Sequence, residues 1–310
     1  MQTEKYIVDG GHRLSGEVWV HGAKNAALPI LAASLLCDSC EIENCPDLSD
    51  IHAAENILRH LGCDTCWESD ADQKKVLSIK AVGPFLWDIP DYLMREMRSS
   101  IVFLGAIIAR CKKAVISYPG GCELGPRPID LHLSSLRKLG VRIREDGGYL
   151  ECTVPDGLHG AQITLPFPSV GATENVMIAA SLAEGETVIR NPAREPEILD
   201  LAGFLNACGA KIRVLPDGTI AICGVKRLSG CRYRVIPDRI VAITYLCCCA
   251  AAQGEILLKG VLPEHLSAVL PVLEEMGCTL KAQKDRIFIR SHSPLKAVST
   301  VSTMPYPGFL

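Results

Sequence analysis

Cys122 stands in the run Pro119-Gly-Gly-Cys-Glu-Leu-Gly-Pro-Arg-Pro128, which packs three glycines and three prolines into ten residues. Such a loop is stiff, and it lets backbone come close to a ligand. A thiol there, with Arg127 nearby to favour its thiolate, is equipped to move a proton. Most of the other cysteines fall in stretches that read as helix or strand. Lys24 and Asn25 open the apolar run Asn25 to Leu36, and Arg98 opens the run Ser99 to Ala109. Free N–H groups and the helix dipole at such starts attract anions, and a basic side chain adds to that pull. Lys24, Arg98 and Arg127 could therefore converge on one anionic ligand. The plainer alternatives are solvated surface cations, Asn25 as an N-cap, and a long loop without chemistry.

The elements that would position these groups recur. Leu61-Gly62-Cys63, Leu139-Gly140-Val141, Cys208-Gly209-Ala210 and Met276-Gly277-Cys278 end similar segments, with glycines 78, 69 and 68 residues apart. Each glycine closes an amphipathic stretch (Ile51 to Leu61, Ile129 to Leu139, Glu197 to Cys208, Glu264 to Met276), as expected of a left-handed C-cap. Upstream lies a second helix of small apolar residues: Asn25 to Leu36, Ser99 to Ala109, Thr173 to Ala183, Ile240 to Ala252. Apolarity all round predicts burial. A short strand separates each pair of helices, at Glu41 to Asn44, Ala114 to Ser117, Thr187 to Arg190 and Glu255 to Leu258. Units this small must share a core, with small-residue helices inward and sheets outward. The corresponding turns of other repeats, Cys45-Pro-Asp-Leu48 and Asn191-Pro-Ala-Arg194, are shorter, so the Cys122 loop is an insertion in one unit.

The 310 residues are 48% apolar and 22% charged with net charge −3, the profile of a globular protein of one or two domains. This balance argues against nucleic acid as a partner. Met1 to Arg13 lacks the apolar core of an export signal, which predicts a cytoplasmic protein. The apolar run Ile240 to Gly254 is shorter than the roughly 20 residues a membrane span needs, and it reads as a buried helix. Fifteen scattered cysteines suit a reducing compartment better than a disulfide framework. Cys37-x-x-Cys40 and Cys63-x-x-Cys66 resemble a pair of zinc knuckles. The repeat register argues against metal, because Cys63 and Cys278 share a slot held elsewhere by Val141 and Ala210.

Six runs in order, Gly22-Ala-Lys-Asn-Ala-Ala-Leu-Pro29, Met97-Arg-Ser-Ser100, Pro119 to His132, Ser169-Val-Gly-Ala-Thr-Glu-Asn175, Ala193-Arg-Glu-Pro-Glu197 and Pro237-Asp-Arg-Ile240, resemble the UDP-N-acetylglucosamine 1-carboxyvinyltransferase family. The likeness spans essentially the whole chain. It implies an α/β (α+β) fold, an inside-out α/β barrel built from repeated βαβαββ units. It also implies two domains, a complete three-repeat domain over 22–236 and an incomplete second domain, 1–21 plus 237–310, with about one repeat of three. The implied reaction moves the enolpyruvyl group of phosphoenolpyruvate to the 3-hydroxyl of UDP-N-acetylglucosamine and releases phosphate. This is the first committed step of peptidoglycan synthesis, on which cell shape and division depend; the family needs no cofactor and no metal.

By the same resemblance Cys122 is the general acid, and Lys24, Asn25 and Arg127 hold phosphoenolpyruvate. Arg98, Arg127, Pro128, Ile129, Asp130, Leu131, Ser169, Val170 and Gly171 hold the nucleotide sugar, and Asp238 matches a family residue near the cleft. Two departures stand out. The family continues past Tyr306-Pro-Gly-Phe-Leu310 into a Thr-Asp motif and two further repeats, and it usually carries Glu where this chain has Val241. The resemblance thus implies a truncated transferase. The alternatives are a non-catalytic paralogue that binds UDP-N-acetylglucosamine, or an inactive fragment. The related shikimate-phosphate transferases rank lower, since they do not use a cysteine loop of this kind.

Overall fold

The computed structural model describes residues 5–69, 75–120, 128–292 and 294–309. The chain divides into two compact units, Gly22–Ile236 and Met1–His21 with Pro237–Leu310. Strand β1 (Ser15–Trp19) belongs to the smaller unit.

The larger unit holds three repeats. The first contains α1 (Lys24–Ser34), β2 (Ser39–Glu43), α2 (Ser49–His60), β3 (Cys63–Ser69) and β4 (Lys75–Ala81). The second runs through β5 (Asp88–Ile89), the short α3 (Asp91–Glu96), a 3-10 turn (Arg98–Val102), α4 (Phe103–Cys111), β6 (Lys113–Ser117), α5 (Asp130–Lys138), β7 (Arg142–Asp146) and β8 (Tyr149–Thr153). The third has β9 (Gln162–Thr164), α6 (Val170–Ala180), β10 (Glu186–Arg190), α7 (Pro196–Ala207), β11 (Lys211–Val214) and β12 (Ile220–Cys223).

Each repeat owns one four-stranded sheet, in the orders β5-β6-β8-β7 and β11-β12-β10-β9 for the second and third. The leading strand is parallel to the next, which in turn pairs antiparallel with the closing hairpin. The first repeat borrows its leading strand from the far end of the unit. There β13 (Arg232–Arg234) lies parallel to β2, with Arg232 opposite Glu41, giving β13-β2-β4-β3. This pairing closes the unit on itself.

The smaller unit repeats the pattern once: α8 (Arg239–Ala251), β14 (Glu255–Lys259), a 3-10 turn (Pro263–Leu266), α9 (Leu270–Glu275), β15 (Thr279–Gln283) and β16 (Arg286–Arg290), with β1 parallel to β14 in the sheet β1-β14-β16-β15. Among the described residues no helix is long and apolar enough to cross a membrane.

Small residues let α1, α4 and α6 sit together inside the larger unit. Ala26 to Ser34 of α1 and Ala172 to Ala180 of α6 are all buried. At Gly105 of α4 a Cβ would lie 2.5 Å from the carbonyl oxygen of Asn175 in α6, so only hydrogen fits there. Outer strands show the alternation of a half-solvated sheet, as in β8, where Leu150 and Cys152 point inward. The four helix-closing glycines Gly62, Gly140, Gly209 and Gly277 have φ of 100, 95, 99 and 102°, the left-handed geometry their positions predicted.

Three expectations are corrected. The helix read over Glu264 to Met276 is split into the 3-10 turn and α9, because Pro271 has no N–H to donate and fits only a first turn. The helix read from Ser99 begins as a 3-10 turn and becomes α-helical at Phe103. The third concerns α8, which was expected to be wholly buried. Ala242, Leu246, Cys249 and Ala250 are buried against β14 and β16, whereas Ile240 and Tyr245 are 43% and 40% exposed and Cys247 and Cys248 are exposed. Burial on all sides needs neighbours on all sides, and within its unit α8 packs on the sheet and the 3-10 turn.

Gly209→Ala would meet no atom within 4 Å, so its cost reports backbone conformation alone. A loss of about 1–2 kcal/mol in urea denaturation is expected. Gly62→Ala costs more, since its Cβ would also sit 2.5 Å from the Pro84 carbonyl oxygen.

Candidate active site in the larger unit

Lys24 is the first residue of α1, and among the described residues no side chain caps the helix start. Gly22 lets the chain pass so close to Asn44 that a Cβ would lie 1.8 Å from its carbonyl oxygen, and Ala23 N–H donates to Ile236 at 2.8 Å. These contacts fix where α1 begins. The Lys24 ammonium donates to Asp50 Oδ2 at 2.7 Å, from the first turn of α2, with both side chains partly solvated. An incoming anion would compete with Asp50 for this lysine. Asn25 is exposed on the first turn; the N-cap position belongs to Ala23, so the reading of Asn25 as a cap is not met.

A second group gathers around His132, on the first turn of α5. The Asn175 amide, fully buried in α6, donates to His132 Nδ1 at 2.8 Å and to the Ile101 carbonyl at 2.9 Å, while its Oδ1 accepts from Gly105 N–H at 2.7 Å. The backbone bonds fix which way the amide points, and this in turn places the imidazole proton on Nε2. Burial and the charge of Arg98 push His132 down to about 4, so the ring is neutral at pH 7. Gly171 borders the ring: a Cβ there would stand 2.9 Å from Cε1 and 3.2 Å from Nε2. Ser169, the N-cap of α6, accepts from Ala172 N–H at 3.3 Å. The starts of α5 and α6 thus meet at one imidazole, which feels the charge of Arg98 at the start of the 3-10 turn.

Of the sequence-predicted residues in this region, Pro128 is exposed, Ile129 is buried, Asp130 is the exposed first residue of α5, and Leu131 and Val170 are half-buried. Cys122 and Arg127 lie outside the described residues. In the smaller unit Asp238 is the N-cap of α8, its Oδ1 accepting from Ile240 and Val241 N–H at 2.9 and 3.0 Å. Sequence reasoning gave no role to Asp50, His132, Glu174 or Asn175. The available signal was polarity out of place, a Glu-Asn pair inside the apolar Val170–Ala180 helix.

Glu174 is buried, and burial first, then Glu197 and Glu195, push it up to about 8. It holds a proton at neutral pH. Asp200 is raised to about 6 by burial, moderated by the Tyr233 hydroxyl, which donates to it at 2.8 Å. The cysteine motifs do not pair with each other as knuckles would: Cys63 is buried and Cys66 exposed on β3, whereas Cys37 and Cys40 meet cysteines from another repeat.

Solved structures share this architecture. The enolpyruvyl transferase NikO from Streptomyces tendae superposes with a TM-score of 0.83 at 22% identity over 97% of this chain and 71% of its own. The EPSP synthase of Acinetobacter baumannii gives 0.69 at 20% identity, over 94% and 68%. The fold is that of the enolpyruvyl transferases. The family model for EPSP synthase (3-phosphoshikimate 1-carboxyvinyltransferase) matches residues 8–310. Among curated relatives, UDP-N-acetylglucosamine 1-carboxyvinyltransferase 2 of Caldanaerobacter subterraneus is 51% identical over 306 residues, 98% of this chain and 72% of the relative. The corresponding enzyme 1 of Symbiobacterium thermophilum is 50% identical over 308 residues, 99% and 70%. The chain belongs to the UDP-N-acetylglucosamine 1-carboxyvinyltransferase family.

Asn175→Leu removes three buried hydrogen bonds and strands the Gly105 N–H, while the Ile101 carbonyl keeps its backbone bond at the end of the 3-10 turn. Urea denaturation should show a loss of about 3 kcal/mol or more. For Glu174, whose folded pKa lies above the unfolded value, stability is full below about 4.5 and declines as pH rises toward about 8. Glu174→Gln should leave the melting temperature at pH 5 nearly unchanged and raise it at pH 8. Equal effects at both values would mean that Glu174 is not protonated in the fold.

Proposed function

We propose that this chain transfers the enolpyruvyl group of phosphoenolpyruvate to the 3-hydroxyl of UDP-N-acetylglucosamine, the first committed step of peptidoglycan synthesis, in the cytoplasm. The observation that carries this reading is 45–51% identity, over nearly the whole chain, to curated enzymes named for that activity. The sugar hydroxyl oxygen adds to C2 of phosphoenolpyruvate and gives up its proton to solvent, while the Cys122 thiol delivers a proton to C3 and becomes a thiolate. Loss of a proton from C3 then restores the double bond as the C2–O bond to phosphate breaks, and phosphate leaves. A multiply charged anion must be held still throughout.

Lys24, at the open start of α1, and Arg127 supply charge for phosphoenolpyruvate, with Asn25 beside them on the first turn. Arg98, the run Arg127 to Leu131 and Ser169 to Gly171 take the nucleotide sugar. In support, the α5 start and the capped α6 start meet at His132, which burial and the charge of Arg98 keep neutral, so that its Nε2–H is a donor that carries no charge. Asp238 holds the start of α8 and is assigned no step.

Purified chain given both substrates should release phosphate. Cys122→Ser should lower kcat by about 10²-fold or more, and Cys122→Asp, which restores an acid, should recover part of it. Lys24→Ala should raise KM for phosphoenolpyruvate by about 10- to 100-fold with little change for the nucleotide sugar. Phosphate release unaffected by Cys122→Ser would overturn the assignment of the acid.

A further inference from the structure

Four cysteines outside the proposed active site come together at the seam where the larger unit closes. Cys37 lies in the turn after α1, Cys40 on β2, Cys208 at the C-cap of α7 and Cys231 just before β13. The sulfurs of Cys37, Cys40 and Cys208 all lie within 4.8 Å of one another, and these three residues are buried. Cys231 Sγ is 3.3 Å from Cys208 Sγ but more than 4.8 Å from at least one of the other two sulfurs, so its side chain must swing inward to complete a four-sulfur set. A tetrahedral zinc with bonds of about 2.3 Å needs sulfurs about 3.8 Å apart.

The backbone around them is fixed independently of the thiols. Ser229 N–H donates to Cys208 at 2.8 Å, Glu41 N–H donates to Cys231 at 3.0 Å, and Gly230 passes so close to Ser39 that a Cβ would fall 1.7 Å from its carbonyl oxygen. Ligands held by a rigid frame bind a metal without first paying for their own ordering. Cys40 and Cys231 also line a surface pocket of about 220 Å³, which provides an entry path.

We propose that Cys37, Cys40, Cys208 and Cys231 form a tetrathiolate zinc site that ties the first repeat to the third. One zinc ion displaces four thiol protons and leaves a four-coordinate centre with no open position, so its role is structural rather than catalytic. This revises the expectation, read from the repeat register, that the chain takes no metal. The register spoke against Cys63 as a partner of the Cys37-x-x-Cys40 knuckle, and it was silent on the two cysteines that ring closure delivers. The proposal does not depend on the transferase assignment.

The full chain, expressed with added zinc and purified with a reductant, should contain about one zinc per chain. Metal-free wild type titrated with cobalt(II) should develop thiolate-to-cobalt charge-transfer absorption and the ligand-field bands of a tetrahedral site. Cys208→Ser with Cys231→Ser should lose both signals, while Cys66→Ser keeps them. Because the wild-type titration needs no variant, misfolding of the double variant leaves the test intact. Wild type with less than about a tenth of an equivalent of zinc and no cobalt–thiolate absorption would overturn the proposal. So would a Cys208–Cys231 disulfide that survives in the protein as isolated under reducing conditions.

Discussion

The buried amide of Asn175 makes the centre of the larger unit possible. Helices α4 and α6 approach until Gly105 touches the backbone of Asn175, a contact that leaves no room for side chains to screen polar groups. At that point the first turn of α4 still has the Gly105 N–H to satisfy, and one amide answers it, adds a bond to the Ile101 carbonyl of the 3-10 turn and orients His132 on α5. Small residues alone would bring the helices together without fixing their register. The amide fixes it, and it also sets the tautomer of the ring at which the starts of α5 and α6 meet.

Ring closure is the second constraint. The first repeat has no leading strand of its own and takes β13, nearly 200 residues along the chain, beside β2. The unit is complete only when its last strand reaches its first helix. That seam joins α1 and β2 to α7 and β13, and it brings together cysteines that no local spacing connects.

The fold was legible wherever one residue type had one physical use. The four glycines past the amphipathic helices all adopt the left-handed geometry, and the small-residue runs of α1 and α6 are buried as their composition demands. What composition could not carry was one-sided burial. The residues of α8 are as apolar as those of α6, yet Ile240 and Tyr245 are exposed, because burial depends on which elements pack nearby. The helix read across Pro271 failed for a reason present in the sequence, a missing N–H, which periodicity outweighed. In the candidate site, Lys24 at a helix start followed from pattern, but its pairing with Asp50 joins two helices and has no local signature.

The electrostatics of the larger unit separate into two regimes. At the start of α1 the ion pair of Lys24 with Asp50 is partly solvated, so water screens it. Deeper in α6, burial suppresses charge, and Glu174 keeps its proton first because it is buried and then because Glu197 and Glu195 add like charge. His132 lies on the border between the two, and its neutrality follows from both burial and Arg98. A protonated imidazole there would add a cation beside Arg98 at the cost of breaking the Asn175 bond, since Nδ1 would lose its lone pair. The amide that holds the helices therefore also keeps this ring an uncharged donor, so packing and site chemistry rest on the same hydrogen bond.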